Sequence, residues 1–557
     1  MNNIWRWGRY GLVVLPLLFF GLFYLYPVAT IFDYSFRADG VIDLSGFVSI
    51  ATSAYYRDTL VFTVFQATLS TFFTILLVLP GAYVFVHYKF PGRSLLLSMS
   101  TLPFVLPTVV VATAFLALIG PRGLLNAALM DLFNLEAPPI QLTHTLTLIL
   151  IVHVFYNYSV ALRIIVAYWS GLSSRIEDAA AVLGANRWQM WWRIRLPLLR
   201  PAIVAAALLV FIFTFTSFGV VLILGGIRFA TLEVQIYYQT INLLNLPTAA
   251  ALSLVQILIM VLAMLYYARL QRQMSSSQTV VPIRPKSAST WQQRLFVGGN
   301  LFVVIVLLLM PLLALIVRSL WIDGQFSLEY YALLGENVRN SVLFVPPMKA
   351  IANSIAFGLM TTFIAVVMGT LLAYLVGDRL VNTRVGRFID PLIMLPLATS
   401  AVTLGLGFIL ALDEPPLNLR TSWVLIPIAH SLVATPFVAR SVLPALRQIP
   451  PSLPEAAQVL GATPFRIWRR IELPLISRSL IVGATFAFAI SLGEFGASVF
   501  VARPDTPTMP LVIYRLLGQP GTENYGQALA MSVLLLLVCL GSFLLIERFR
   551  EAGLGEF

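Results

Sequence analysis

Apolar runs long enough to cross a lipid bilayer recur along the whole chain. No other feature constrains the fold as strongly. A membrane-crossing helix needs about 20 consecutive apolar residues, and lipid leaves the backbone of such a run no partner outside its own helix. Twelve runs can be drawn. They cover 10–31, 59–87, 101–120, 142–168, 202–226 and 247–268 in the first half, and 295–317, 350–376, 390–412, 422–446, 479–500 and 526–547 in the second. Only 11% of the 557 residues are charged, against about a quarter in a soluble chain. The expected fold class is all-α integral membrane, with about twelve transmembrane helices.

The net charge of +12 would suit a nucleic acid, but the basic residues sit between apolar runs, where membrane topology signals lie. No nucleic-acid partner is expected. Placing both termini in the cytoplasm puts most of the basic residues on the inner side. Arg6 and Arg9 precede the first run, which is longer than a signal-peptide core of roughly 7–15 residues. No small-x-small cleavage site follows it, so the run reads as a retained helix. The single cysteine, Cys539, excludes an internal disulfide and reads as a packing residue.

The two halves repeat. One offset of 277 residues carries His153 to His430, Arg163 to Arg440, Gly184 to Gly461, Trp191 to Trp468, Pro197 to Pro474 and the Ser217–Gly219 triplet to Glu494–Gly496. With small gaps the match extends upstream, for instance from Leu102–Pro103 to Leu395–Pro396. Six spans per half is an even number, so the repeats enter the membrane in the same orientation, related by an axis along the membrane normal. This organisation gives a helix and external loop (1–55), a first repeat core at 56–268, and a polar, basic cytoplasmic linker (269–294). A helix and external loop (295–349), a second core (350–547) and a cytoplasmic tail (548–557) complete the chain.

Between spans four and five each half carries a charged segment, "EDAAAVLGANRWQMWWRIRLP" from Glu177 and "PEAAQVLGATPFRIWRRIELP" from Pro454. Both fall on the cytoplasmic face. Each reads as a short alanine-rich helix closed by a glycine able to take the left-handed conformation. A second short helix comes next, with Pro197 or Pro474 marking the start of the next span. Trp188, Trp191, Trp192 and Trp468 suit the membrane–water boundary.

The pattern E-A-A-x3-G-x9-I-x-L-P resembles the signature loop of permease subunits in binding-protein-dependent ABC importers. Glu455, Ala456, Ala457, Gly461, Ile471 and Leu473–Pro474 match it in full. Asp178, Ala179, Ala180, Gly184, Ile194 and Leu196–Pro197 depart from it only by Asp for Glu. The resemblance covers nearly the whole chain and implies a fused, two-domain permease of the type I importer class in the plasma (inner) membrane. It implies that Asp178, Ala179, Ala180, Gly184, Glu455, Ala456, Ala457 and Gly461 form coupling helices docked on two copies of a separate ABC ATPase subunit. An extracytoplasmic substrate-binding protein is the other implied partner. The chain has no phosphate-binding G-x-x-x-x-G-K-[ST] loop. ATP and magnesium therefore belong to the partner subunit, and neither a catalytic residue nor a cofactor is expected here.

Among fused permeases the chain is most similar to the ferric-iron and thiamine group, through "FTSFGVVLILGGIRFATLEVQIYY" and "SLGEFGASVFVARPDTPTMPLVIYRLLG". Similar "LGEFGA" segments also occur in sulfate and molybdate permeases. Ferric iron is placed slightly ahead of thiamine. Glu494 and its repeat equivalent Ser217 are candidate translocation-pathway residues. A carboxylate inside a span is a functional-site hypothesis by default. It would meet a cationic substrate, or else serve as a packing or gating contact, and its presence in anion permeases favours the second reading. His153 and His430 read as imidazoles packed against helix carbonyls rather than as a metal relay, and no metal site is expected. The alternative class is a twelve-helix gradient-driven secondary transporter. Its usual loop motif is approached only by "GDRLVNTRVGR" from Gly377, where the spacing fails.

Overall fold

The computed structural model describes residues 12, 14–38, 41–274, 285–322, 324–337, 343–377, 395–396, 399–413 and 417–550. Arg6 and Arg9, the middle of the linker, most of the "GDRLVNTRVGR" stretch, the start of the 390–412 run and the end of the tail lie outside the described residues.

In the first half the main helices are α1 (Val14–Phe36), α2 (Ala54–His87), α3 (Thr108–Phe133, interrupted by a turn at 120–123), α4 (Leu146–Ser170), α5 (Ser174–Val182), α6 (Arg187–Phe215), α7 (Leu232–Tyr237) and α8 (Leu246–Met274). The second half has α9 (Trp291–Leu320), α10 (Pro347–Val376), α11 (Ala401–Ala411), α12 (Leu425–Gln448), α13 (Ser452–Val459), α14 (Pro464–Gly493), α15 (Met509–Leu517) and α16 (Thr522–Arg550). Eleven helices among the described residues are long and apolar enough to span, and α11 is a twelfth, shorter apolar helix. The described strands are two-residue pairs at loop ends. The protein is all-α and multi-pass.

The two halves clasp each other through their first helices. α1 lies against α8 and against α11 of the second half, where the Tyr24 and Thr399 hydroxyls meet at 2.6 Å. Reciprocally, α9 packs on α3 of the first half and on α16. A dimer-like core results, and lipid-facing side chains such as Leu262, Phe302 and Phe363 stay exposed on the outside. Cys539 is fully buried in α16.

Three local features depart from the expected spans. The 202–226 run is not one helix, because α6 stops at Phe215 and the chain is irregular through Thr216–Phe218 before a short helix, Gly219–Leu224. The 479–500 run breaks the same way, after Gly493, with helix resuming at Ser498–Val501. α7 and α15, in segments read as connections between spans, are short, largely buried helices folded into the protein. Continuous hydropathy cannot distinguish an unbroken helix from two half-helices. Irregular backbone at membrane depth is tolerated where it is buried in protein or lines a cavity.

Candidate functional site: coupling loops and a central chamber

The two charged loops fold alike. In the first, α5 begins at a Ser173 cap and ends in a Schellman closure, with Gly184 N–H donating to Ala181 O and Ala185 N–H to Ala180 O, both at 3.0 Å. Gly184 has φ +82°, which the closure requires. The second repeats this with Gly461 at φ +79° and Ala462 N–H donating to Ala457 O at 2.9 Å. Asp178, Ala179, Glu455 and Ala456 are exposed, Ala457 is half-buried and Ala180 is buried. At both tips an apolar pair stands in solvent: Val182 is 88% and Leu183 86% exposed, and Val459 and Leu460 are each 87% exposed.

The segment after each glycine is not a separate helix. α6 starts at a capping box between Asn186 and Gln189 and runs into the membrane through a π-helical stretch, Met190–Arg195. α14 does the same through Trp468–Glu472. Pro197 and Pro474 lack the N–H that would close the preceding α turn, and a widened turn is one way to accommodate the missing bond.

The underside of the first loop is tied down. Arg195 donates to Glu177 Oε2 at 2.7 Å, and His87 Nε2 lies 3.6 Å from the same oxygen. The guanidinium also sits 5.0 Å from the Tyr83 ring centre and 5.4 Å from that of Trp191. In the second copy Pro454 replaces Glu177 and Glu472 replaces Arg195, and Glu472 accepts the Tyr374 hydroxyl at 2.9 Å.

A central chamber of about 290 Å³ lies where the two broken helices meet. Phe218 and its repeat equivalent Phe495 stack across it with ring centres 5.4 Å apart. Phe218 also meets Tyr237 at 5.6 Å, and Phe495 meets Tyr514 at 5.3 Å, so equivalent contacts recur about the pseudo-dyad. A glycine is required at 219, where a Cβ would lie 2.3 Å from Thr108 Oγ1. Phe104, Tyr156 and Phe213 add aromatic wall, and among the described residues the lining has no lysine or arginine.

Histidine fastens each break. His153 Nε2 lies 2.8 Å from Ser217 Oγ, and its Nδ1 lies 3.0 Å from Ser70 Oγ. His430 joins Ser491 at 2.8 Å and Ser498 at 2.9 Å. The partners are hydroxyls, not the helix carbonyls expected. Among the described residues no three His, Cys, Asp or Glu side chains gather as a metal site.

Glu494 faces the chamber, and its Oε1 accepts the Ala497 N–H at 3.0 Å, capping the resumed helix. Ser217, its equivalent, also lines the chamber but spends its hydroxyl on His153. The structure adds a second carboxylate that sequence reasoning misses. Glu233, in the first turn of α7, is fully buried and lines the same chamber. The signal that could have found it is the short apolar "TLEVQIYY" run after Ala230, too apolar for an external loop and too short to span. Gln256 of α8 donates to Glu233 Oε1, while Oε2 has no hydrogen-bond partner among the described residues.

Comparison with known proteins agrees with this architecture. Residues 75–276 and 365–551 each match the family described as binding-protein-dependent transport system inner membrane component. The thiamine transport system permease protein ThiP of Escherichia coli (strain K12) is 26% identical over 509 residues, covering 90% of each chain. ThiP of Brucella abortus (strain 2308) is 27% identical, covering 87% of this chain and 86% of its own. The "Probable ABC transporter permease protein y4fN" of Sinorhizobium fredii is 25% identical, over 98% of this chain and 97% of its own. Among solved structures, a chain of a bacterial ABC transporter involved in import of the acidic polysaccharide alginate aligns with TM-score 0.39 and 18% identity, over 50% of this chain and 100% of that one. With the family's domain present twice in one polypeptide, the chain belongs to the binding-protein-dependent transport system inner membrane components, as a fused two-domain ABC importer permease.

Proposed function

We propose that this chain forms the translocation pathway of an ATP-driven thiamine importer, with Asp178–Gly184 and Glu455–Gly461 docking on two separate ATPase subunits at the cytoplasmic face. The observation that carries the reading is the matched pair of exposed loop tips. An apolar pair 86–88% exposed at the same place in both halves fits helix-in-groove recognition by an absent partner. Both termini then lie in the cytoplasm, and a substrate-loaded binding protein docks on the opposite face.

Thiamine takes precedence over ferric iron for two reasons. Relatives spanning most of the chain carry thiamine in their names. The chamber is walled by aromatic rings, which suit a flat organic cation, whereas a hard ferric ion calls for several oxygen ligands.

The test is gentle purification of the tagged chain with its associated subunits, an ATPase assay, and thiamine uptake into proteoliposomes. We expect an ATPase to co-purify, to be lost in the Asp178→Asn/Glu455→Gln variant, and to drive thiamine uptake when a loaded binding protein is added. A chain that purifies alone, is inert toward ATP and takes up solute only under an ion gradient would overturn the reading.

A further inference from the structure

We infer that Glu233 and Glu494 together form a cation-selective site in the chamber, one carboxylate from each half, that recognises the positive charge of the transported molecule. The inference rests on the reading of the chamber as a thiamine pathway and adds the residues that set its selectivity.

The two carboxylates are not repeat equivalents. Glu494 answers to Ser217, and Glu233 answers to Pro510. Each half thus contributes one acidic group to the same cavity from a different element: Glu494 from the break after α14, Glu233 from the buried helix α7. Helix capping accounts for one oxygen of Glu494, which holds the Ala497 N–H. Packing does not account for Glu233. Its Oε1 is held by Gln256, but its Oε2 is buried without a hydrogen-bond donor among the described residues, and the neighbouring Ser400 hydroxyl is turned to Thr403 Oγ1 at 3.0 Å. A buried carboxylate oxygen without a partner is unfavourable. An ionisable group at this depth marks a substrate or ion path by default.

The lining decides the sign of the ligand. Among the described residues it carries two carboxylates and no lysine or arginine, and both ring nitrogens of His153 are engaged with serine hydroxyls. An anion would meet two carboxylates and, among the described lining residues, only neutral donors such as hydroxyls and the Asn157 amide. A metal cation would find no third acidic, histidine or cysteine ligand among the described residues. An organic cation finds two carboxylates and a wall that includes the rings of Phe104, Tyr156, Phe213, Phe218 and Phe495. The cavity, at 290 Å³, lies at the lower edge of the roughly 300–1,000 Å³ typical of small-molecule sites. A single flat cation of modest size matches it.

The experiment compares uptake of thiamine with uptake of its uncharged isostere, in which carbon replaces the quaternary ring nitrogen. It uses the complete importer in proteoliposomes with the binding protein loaded with either compound. The wild type is expected to prefer the cation, and Glu233→Gln to lower the cation-to-neutral uptake ratio about tenfold, the size of one lost charge-assisted contact. Glu233→Asp should restore part of the ratio. Glu494→Gln is the second variant, expected to lower the ratio in the same direction, and it decides the matter if Glu233→Gln fails to reach the membrane. A wild type that takes up no thiamine defeats the thiamine reading, and this inference with it. A wild type that takes up thiamine, with both Gln variants keeping the wild-type ratio, defeats the cation site alone.

Discussion

Glu177 shows how one carboxylate distinguishes the two charged loops. Burial pushes its carboxyl up, but the neighbouring His87 ring and the hydrogen-bonded Arg195 guanidinium outweigh this and bring it down to about 2. A depressed carboxylate contributes stability that is fully present above its unfolded value, near 4.5, and is lost as pH falls through the folded value. The strap under α5 should therefore hold at neutral pH and loosen between about pH 4.5 and 2. Glu177→Gln should remove about 1–3 kcal/mol at pH 7. Thermal melting in detergent would show this as a lower Tm for the variant, with the two proteins converging toward about pH 2. A difference that stays constant across that range would mean the ion pair contributes no pH-dependent stability. The second loop has Pro454 at this position and no equivalent ion pair, so a control substitution at Glu472 should leave this acid limb in place.

At the scale of elements, the closure of α5 and of α13 depends on one backbone conformation. Gly184 and Gly461 sit at φ +82° and +79°, and a Cβ at either position would meet nothing within 4 Å. Substitution there brings strain rather than a clash, about 1–2 kcal/mol for an L-residue in the left-handed region and more for a β-branched one. The Gly184→Val/Gly461→Val double variant should insert into the membrane yet lose thiamine uptake, because each loop tip is re-aimed. The Asn double variant, which tolerates this region, should keep most of it. Normal uptake by the Val double variant would defeat the argument. These loops are legible in sequence because their signals are local: an alanine-rich turn, a glycine, a proline at fixed spacing. The broken fifth helices are not. "FTFTSFGVVLIL" and "AISLGEFGASVF" are as hydrophobic as a continuous span, and the break depends on distant partners, His153 on Ser217 and His430 on Ser498. Glu233 escapes for the same reason. Its burial is set by α7 folding back against α8, a tertiary event with no periodic signal in six residues.

At the scale of the whole molecule, two exposed loop tips, proposed above as docking sites, belong to a fold whose chamber is lined by both halves. α1 and α9 each reach across to the opposite half, and Phe218 stacks on Phe495 at the pseudo-dyad, so neither half encloses the chamber alone. Movement at one tip would displace one wall of the cavity and leave the other in place. This predicts that both tips must be occupied for transport. Leu183 and Leu460 are each exposed by more than four-fifths, so charging either should spare the fold and weaken only the docking of an ATPase subunit. Native mass spectrometry of Leu183→Glu or of Leu460→Glu should then find about one ATPase subunit per permease, and the double variant none. Burying an unpaired carboxylate in a formerly apolar contact typically costs about 1–3 kcal/mol or more, enough to lower occupancy at micromolar concentrations. Uptake should fall at least tenfold in each single variant rather than by half, because a chamber shared across the dyad cannot open on one side's motion. Half-maximal uptake in the single variants would mean instead that each half drives the pathway independently, and the clasp between the halves would then be a device for assembly alone.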